Sequence, residues 1–459
     1  MRWYTRERAG MTRTARGRAL ALAIGALVCA AALTYALLPT HLRAIAARTS
    51  NPWDRASVER GRYLAIAADC SACHTAEGGK EFAGGRPIAS PIGTIYSSNI
   101  TPDWDTGVGR FSLDQFDRAV RRGIGRTGET LYPAMPYPSY SRMHDEDIAD
   151  LYSYFLYGVN PVSSKIRSND IPWPLSIRWP LAIWRKWFAP AGDETSFDTS
   201  RYAHPVIARG AYLVEGHTPR GLLFQEKAFG ESSLWYLAGG QLIDGWVPIN
   251  LRGESVDGLG NWSTEDIVGT LRMARNREHE VFGAPMGDVV LHSTQYLTGG
   301  DLQAMASYLK TFPAMRNNES AFVADPATAT ALASGREAGR GAEVYLDNCS
   351  ACHRSTGAGS TNAFPALAGS SSVLTPDPAS LVLLILKGSA IPRTAASPSA
   401  LGTPGFRWRL SNEEVAHLLG FIRSSWRNQA SGISAAQVAH VRAEWNGPPD
   451  PAMIEYVPK

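Results

Sequence analysis

The chain has 459 residues, 44% of them hydrophobic and 19% charged. At roughly 150 residues per domain it holds about three domains, each able to bury a core, which excludes wholesale disorder. The formal net charge of +3 argues against a nucleic-acid partner. Charge is unevenly placed: residues 1–18 carry Arg2, Arg6, Arg8, Arg13, Arg16 and Arg18 against Glu7, a local +5, so +3 overall leaves −2 for the other 441 residues. Directly behind the arginines, residues 19–38 are 20 uncharged, mainly apolar residues. That length suits a membrane span of about 20 residues better than a signal-peptide core of roughly 7–15. Arginines on the N-terminal side keep that end cytoplasmic and send the rest across. Residues 1–50 are therefore expected to be a cytoplasmic start and an uncleaved anchor. A cleaved leader is the alternative, with small residues at Cys29-Ala30-Ala31 and Ala44-Ile45-Ala46.

A first unit is expected over residues 51–166. Its lead helix begins around Arg60-Gly61-Arg62-Tyr63-Leu64 and runs into Cys70-Ser71-Ala72-Cys73-His74. Ser112 with Gln115 has capping-box spacing and predicts a helix start. A stiff Pro/Tyr loop around Met135 follows, 61 residues after His74, and a closing helix is predicted over 145–156. Met143, just before that helix, reads as core. Residues 167–200 form a linker that mixes Trp173, Trp179, Trp184 and Trp187 with prolines and with Arg167, Arg178, Arg185 and Lys186. Such a mixture suits a membrane surface or a partner groove, or packs between domains.

The middle unit, 201–313, repeats the lead helix as Arg209-Gly210-Ala211-Tyr212-Leu213 and the closing helix at 300–309. After Glu215-Gly216 it passes straight to His217. From the repeat arginine to the histidine is 8 residues here, against 14 in the first unit and 13 in the third, and no cysteine lies in 74–348. The deletion removed both thiol positions and kept the histidine. Two readings stay open: a structural domain that lost the group such thiols bind, or one in which His217 and Met286 hold that group without covalent bonds. Residues 314–336, rich in Ala, Thr and Ser, read as a flexible linker.

The third unit, 337–430, opens with Arg340-Gly341-Ala342-Glu343-Val344-Tyr345, carries Cys349-Ser350-Ala351-Cys352-His353, and closes with a helix over 412–422 that Ser411 and Glu414 would cap. It has no methionine between His353 and Met453; the chain reads Thr403-Pro404-Gly405-Phe406 where a Met-Pro turn is expected. A metal held by His353 would be left five-coordinate or use His417, His440 or Lys387. His417 projects off the apolar stripe of Val415, Leu418, Leu419 and Ile422 and reads as a solvated residue. Residues 431–459 read as a surface strap.

The cysteines carry the chemistry. C-x-x-C-H is the attachment signature of c-type haem: two thiols three apart on one helical turn add to the two vinyl groups, and the adjacent histidine becomes the proximal iron ligand. Zinc lacks a nearby second ligand pair, and a redox C-x-x-C needs no following histidine. Cys70, Cys73, Cys349 and Cys352 are therefore expected to hold two covalent haems, with His74 and His353 as axial ligands and Met135 opposite His74. A methionine in that place raises the potential.

Two Cys-Ser-Ala-Cys-His motifs, Ala134-Met135-Pro136-Tyr137-Pro138-Ser139-Tyr140, Leu237-Ala238-Gly239-Gly240 with Asp244-Gly245-Trp246, His292-Ser293-Thr294-Gln295-Tyr296-Leu297 and Trp408-Arg409-Leu410-Ser411 form a recognisable set. With them the chain resembles the multihaem cytochrome c subunits of bacterial membrane-bound dehydrogenases for alcohol, aldehyde, gluconate and related sugars, over about residues 55–430. The resemblance implies three C-x-x-C-H haems, each with a distal methionine. Cys70, Cys73, His74, Met135, Cys349, Cys352 and His353 match that pattern. His217 and Met286 match the middle ligands without the cysteines, and Thr403 stands at the third distal position. It also implies electron transfer from a catalytic dehydrogenase (quinoprotein, molybdenum or flavin type) toward membrane quinone or a terminal oxidase.

The expected protein is thus all-α: three cytochrome c-like domains in tandem behind an N-terminal anchor, facing the periplasm and passing electrons without performing substrate chemistry. The alternative is a dihaem peroxidase or ligand-sensing cytochrome that uses an open-coordinate third haem. A membrane tether with vestigial haems is a further alternative.

Overall fold

The computed structural model describes residues 4–37, 45, 54–90, 92–188, 197–217, 225–226, 230–231, 236–239, 246–276, 284–316, 322–336, 339–399 and 401–444. The anchor's last residue, Leu38, the Ala44 and Ala46 positions, residues 218–220 after His217, the 240–245 part of the Leu237–Trp246 motif, and the tail beyond 444 lie outside them. The chain is helical in the order α1 (Tyr4–Leu37), α2 (Arg55–Ala67), α3 (Cys70–His74), α4 (Leu113–Arg122), α5 (Tyr137–Tyr140), α6 (Asp145–Tyr157), α7 (Trp179–Phe188), α8 (Pro205–Gly216), α9 (Thr264–Met273), α10 (Ala284–His292), α11 (Gly299–Leu309), α12 (Ala327–Ala333), α13 (Arg340–Asn348), α14 (Ser350–His353), α15 (Ser371–Leu374), α16 (Ala379–Lys387), α17 (Asn412–Ser424) and α18 (Ala435–Glu444). The all-α expectation needs one amendment. Among the described residues, three two-stranded antiparallel hairpins, Pro87–Ser90 with Gly93–Tyr96, Gln225–Glu226 with Gly230–Glu231, and Ser389–Ala390 with Gly402–Thr403, close loops between helices. Each pairs residues close in the chain, so loop closure costs little and no wider sheet is needed.

One packing motif occurs three times. Lead helix α2 lies on closing helix α6, α8 on α11, and α13 on α17. At each crossing a glycine faces backbone. A Cβ on Gly61 would stand 1.9 Å from the Asp150 carbonyl oxygen, on Gly210 1.9 Å from that of Ala304, and on Gly341 2.3 Å from that of His417. The preceding arginine grips an acid on the opposite helix: Arg60–Asp150 at 2.7 Å, Arg209–Asp301 at 2.8 Å and Arg340–Glu414 at 2.5 Å. The repeated Arg-Gly pairs of the sequence are therefore crossing points, where a missing side chain lets two backbones touch. Capping boxes open the helices at Ser112/Gln115 and Ser411/Glu414, as the spacing predicts, and also at Ser263/Asp266.

Each crossing lies over its own core. Leu64, Phe116, Met143, Ile148 and Phe155 pack in the first, Leu213, Trp262, Leu302 and Tyr308 in the second, and Tyr345, Val382, Leu418 and Trp426 in the third. The third core recruits flanking chain. The predicted flexible linker contains α12, whose Leu332 is buried there; alanine-rich sequence favours helix once one face has something to pack on. Beyond residue 430, Ile433 and Val438 enter the same core, and Arg442 donates to the Arg407 and Leu410 carbonyls, both at 2.8 Å.

The first two units interlock reciprocally. The Tyr63 hydroxyl donates to Asp301 at 2.6 Å and accepts from the N–H of Thr298, the N-cap of α11, at 3.1 Å. The Tyr212 hydroxyl donates to Asp147 and accepts from the N–H of His144, the N-cap of α6, at 3.0 Å. Equivalent residues exchange roles, as across an approximate two-fold axis. The third unit docks on the middle one through Arg275, which donates to the Ser399 carbonyl at 2.7 Å, and through Val290 packed with Ala274 and Ile391.

Candidate functional site

The first attachment segment is built where α2 stops. Asp69 takes a left-handed backbone conformation, φ 54°, and turns the chain from α2 into α3, which carries Cys70, Cys73 and His74. Burial pushes both thiols up, so they are held as neutral SH groups. Cys70, Ile100 and Met135 each pack against the first core, while Met143 is fully buried within it, as expected of a core residue. The His74 Nδ1 lies 2.7 Å from the Ser98 carbonyl oxygen, which requires Nδ1–H to donate and leaves the Nε2 lone pair available. Burial also holds the imidazole below its ordinary pKa, hence neutral, as a metal ligand must be.

Two further residues, silent in the sequence, fix this helix. Arg86 donates to the Ala72 carbonyl at 2.7 Å and to Asp288 of α10 at 3.1 Å, and Tyr140 donates to the Ala68 carbonyl at 2.8 Å. Asp69 is buried, and desolvation, aided by Asp288 and opposed by Arg86, pushes its carboxyl up to about 8. Helix α10 thus abuts the first attachment helix with one face while its Val290 meets Ile391 of the third unit.

The third unit repeats the arrangement. Cys349 is buried and its thiol is pushed up to about 12. The His353 Nδ1 lies 2.9 Å from the Pro365 carbonyl oxygen, and burial again lowers its pKa. Gly359 donates its N–H to the His353 carbonyl at 3.1 Å, as Gly84 does to His74 at 2.8 Å. Both glycines have positive φ, 64° and 72°, and their missing side chains let the loop bearing the acceptor carbonyl close over the histidine. Thr403 sits half-buried in a strand paired with Ser389. His417 is exposed on α17, as its place off the apolar stripe predicts, and His440 is exposed beside Glu444 at 3.2 Å.

The middle unit departs from this pattern. His217 is 1% exposed, and its Nδ1 lies 3.3 Å from the Tyr212 carbonyl oxygen, five residues back on its own helix, instead of reaching forward to a loop. Its Nε2 is buried without a hydrogen-bond partner among the described residues. The ring packs edge-on to Tyr212, which stacks on His144 of the first unit. Met286 lies on α10, the helix set against the first attachment segment. Desolvation, outweighing Asp147, lowers the His217 pKa to about 4. An unfolded imidazole near 6.5 binds its proton sooner, so stability rises with pH across this window and is lost as pH falls from about 6.5 to 4, by on the order of 3 kcal/mol. Thermal melting of the full chain between pH 7 and pH 4.5 is expected to drop more steeply than that of His217→Leu; parallel curves would refute the assignment.

Among the described residues, no three His, Cys, Asp or Glu side chains converge to hold a metal ion by themselves. The donor sets at residues 70–74 and 349–353, two thiols and one tethered neutral imidazole each, instead fit covalent haem. The family model described as "Cytochrome c" matches residues 58–157 and 338–426. The gluconate 2-dehydrogenase cytochrome c subunit of Pantoea cypripedii is 47% identical over 400 residues, 85% of this chain and 90% of that protein. The cytochrome c subunit of alcohol dehydrogenase (quinone) of Gluconobacter oxydans (strain 621H) is 45% identical over 398 residues, covering 85% and 83%. The fructose dehydrogenase cytochrome subunit of Gluconobacter japonicus is 35% identical over 415 residues, again covering 85% and 83%.

Proposed function

The chain belongs to the cytochrome c subunits of dehydrogenases, and from that premise we propose that it is a membrane-attached, periplasmic electron-transfer subunit with two covalent haems in three cytochrome c-like domains. The observation that carries this reading is a histidine tethered through Nδ1 to a loop carbonyl directly after two thiols three apart, present twice. Cys70 and Cys73 would hold one haem with His74 and Met135 as its iron ligands, and Cys349 and Cys352 would hold the other with His353. When bound, each haem supplies a one-electron iron couple. The protein's own part is to fix each imidazole's tautomer through the Ser98 and Pro365 carbonyls and to set the distance between the two sites through the middle unit. That unit is structural: His217 is turned into the contact with the first unit. A catalytic dehydrogenase subunit delivers the electrons, and membrane quinone or a terminal oxidase takes them. The names of the relatives favour this over a dihaem peroxidase or sensor.

Pyridine haemochrome on the purified chain tests the count: two haems per polypeptide are expected to resist acid–acetone extraction. A third, extractable haem would return a cofactor to His217 and Met286, and fewer than two resistant haems would overturn the reading. Met135→Ala is expected to lower one of the two midpoint potentials by about 0.1 V or more, within the ~0.8 V range over which axial ligands tune haem iron, and to leave the other unchanged.

A further inference from the structure

We propose that residues 171–188 form a second membrane-contacting surface, seated in the interfacial layer of the bilayer beside the outer end of α1. The proposal rests on the reading of α1 as a membrane anchor. Residues Gly17–Tyr35 of that helix are apolar and long enough to cross a bilayer, and none is buried against the rest of the chain. Helix α7 packs on α1, where Lys186 donates to the Tyr35 carbonyl and holds its ammonium 4.6 Å from the centroid of the Tyr35 ring. Whatever depth the outer end of the span takes, α7 takes with it.

The outward side of this segment has the chemistry of an interfacial anchor. Trp173 is 81% exposed and Trp187 68%, with Leu175, Ile177 and Trp179 also exposed. Indole rings, apolar with one N–H donor, settle at headgroup level, and basic side chains beside them meet anionic headgroups; Arg178 and Lys186 occupy those places. The tryptophans are not poised to turn inward. Ala182 and Arg185 are buried on the opposite side of α7, and Leu181 packs with Ile95, Tyr132 and Ile171. Arg178 also sits 4.7 Å over the Tyr132 ring. A catalytic partner could cover the same tryptophans, but continuity with the span favours lipid. Because Tyr132 and Ala134 belong to the cluster beneath α7, the loop that carries Met135 is held on the membrane side of the first unit.

The test is photolabelling of the full chain in phospholipid vesicles containing a diazirine-bearing phospholipid, with tryptic peptides mapped by mass spectrometry. Label is expected on the peptides spanning residues 168–178 and 187–201 as well as on residues 19–43 of the span, and not on the Trp408 peptide. Label on the span alone would overturn the proposal and assign the tryptophans to a protein partner. No label on either would overturn the anchor reading and the proposal with it. In the double variant Trp173→Asp, Trp187→Asp, label on the two linker peptides is expected to fall roughly tenfold, since charge is expelled from the apolar layer, while span labelling and haem content stay unchanged. Undiminished linker label in that variant would also overturn the proposal.

Discussion

Replacing Cys70 and Cys73 together by alanine is expected to halve the acid–acetone-resistant haem, leaving one per chain, and so is the pair Cys349→Ala, Cys352→Ala. All four changes together should leave none. The physical reason is that each pair has its own short helix, α3 carrying Cys70 and Cys73 and α14 carrying Cys352 with Cys349 as its N-cap, and its own tethered histidine, Nδ1 to Ser98 in one unit and to Pro365 in the other. Neither site borrows a thiol or an imidazole from the other. The losses should therefore be independent, as for well-separated sites. The first-site variant should also destabilise the middle unit, because α3 abuts α10 and the Arg86 bridge from the Ala72 carbonyl to Asp288 loses its ordered anchor. The third-site variant should not disturb that contact. Haemochrome counts with limited proteolysis of each variant check this; a single variant that empties both sites would show that the sites assemble as one.

The second large effect concerns the helix crossings. In Gly61→Ala the added methyl would meet the Asp150 carbonyl oxygen at 1.9 Å and the Tyr154 Cβ at 2.7 Å. Neither is the end of a flexible side chain, so α2 and α6 must move apart, and Arg60 loses its 2.7 Å hold on Asp150. The cost is expected at or above the upper end of ordinary overpacking, about 3 kcal/mol, which lowers the melting temperature by roughly 10 °C. Gly420→Ala is the matched control. It too lies inside a closing helix, but an added Cβ meets nothing within 4 Å, so the change should be neutral or stabilise by up to about 1 kcal/mol. Calorimetry on both variants decides the point; equal melting temperatures would mean that the crossings are looser than the structure shows.

Much of this was legible in the sequence because it is local. The Arg-Gly lead-ins, the capping serines at 112 and 411 and the closing helices follow rules that act within a few residues. The linker at 314–336 misled for the opposite reason: composition spoke for flexibility, while Leu332 had a core to enter. At His217 the sequence leaves two readings open, a domain that lost its haem or a haem held without covalent bonds; the structure adds that its ring lies against Tyr212, with Nδ1 turned back on its own helix.

By itself the sequence determined the cofactor class, because thiols three apart followed by histidine satisfy their chemistry within one helical turn. It also determined the apolar stretch behind the arginines, since length and charge suffice there. Only the tertiary structure decided what holds each site in place. The Ser98 carbonyl lies 24 residues from His74, Asp288 lies 202 from Arg86, and Asp301 lies 238 from Tyr63. The use of a middle unit without cysteines as the clamp between the other two belongs to the same class. Such contacts follow from how glycine-lined helices cross and units dock, and spacing along the chain carries no trace of them.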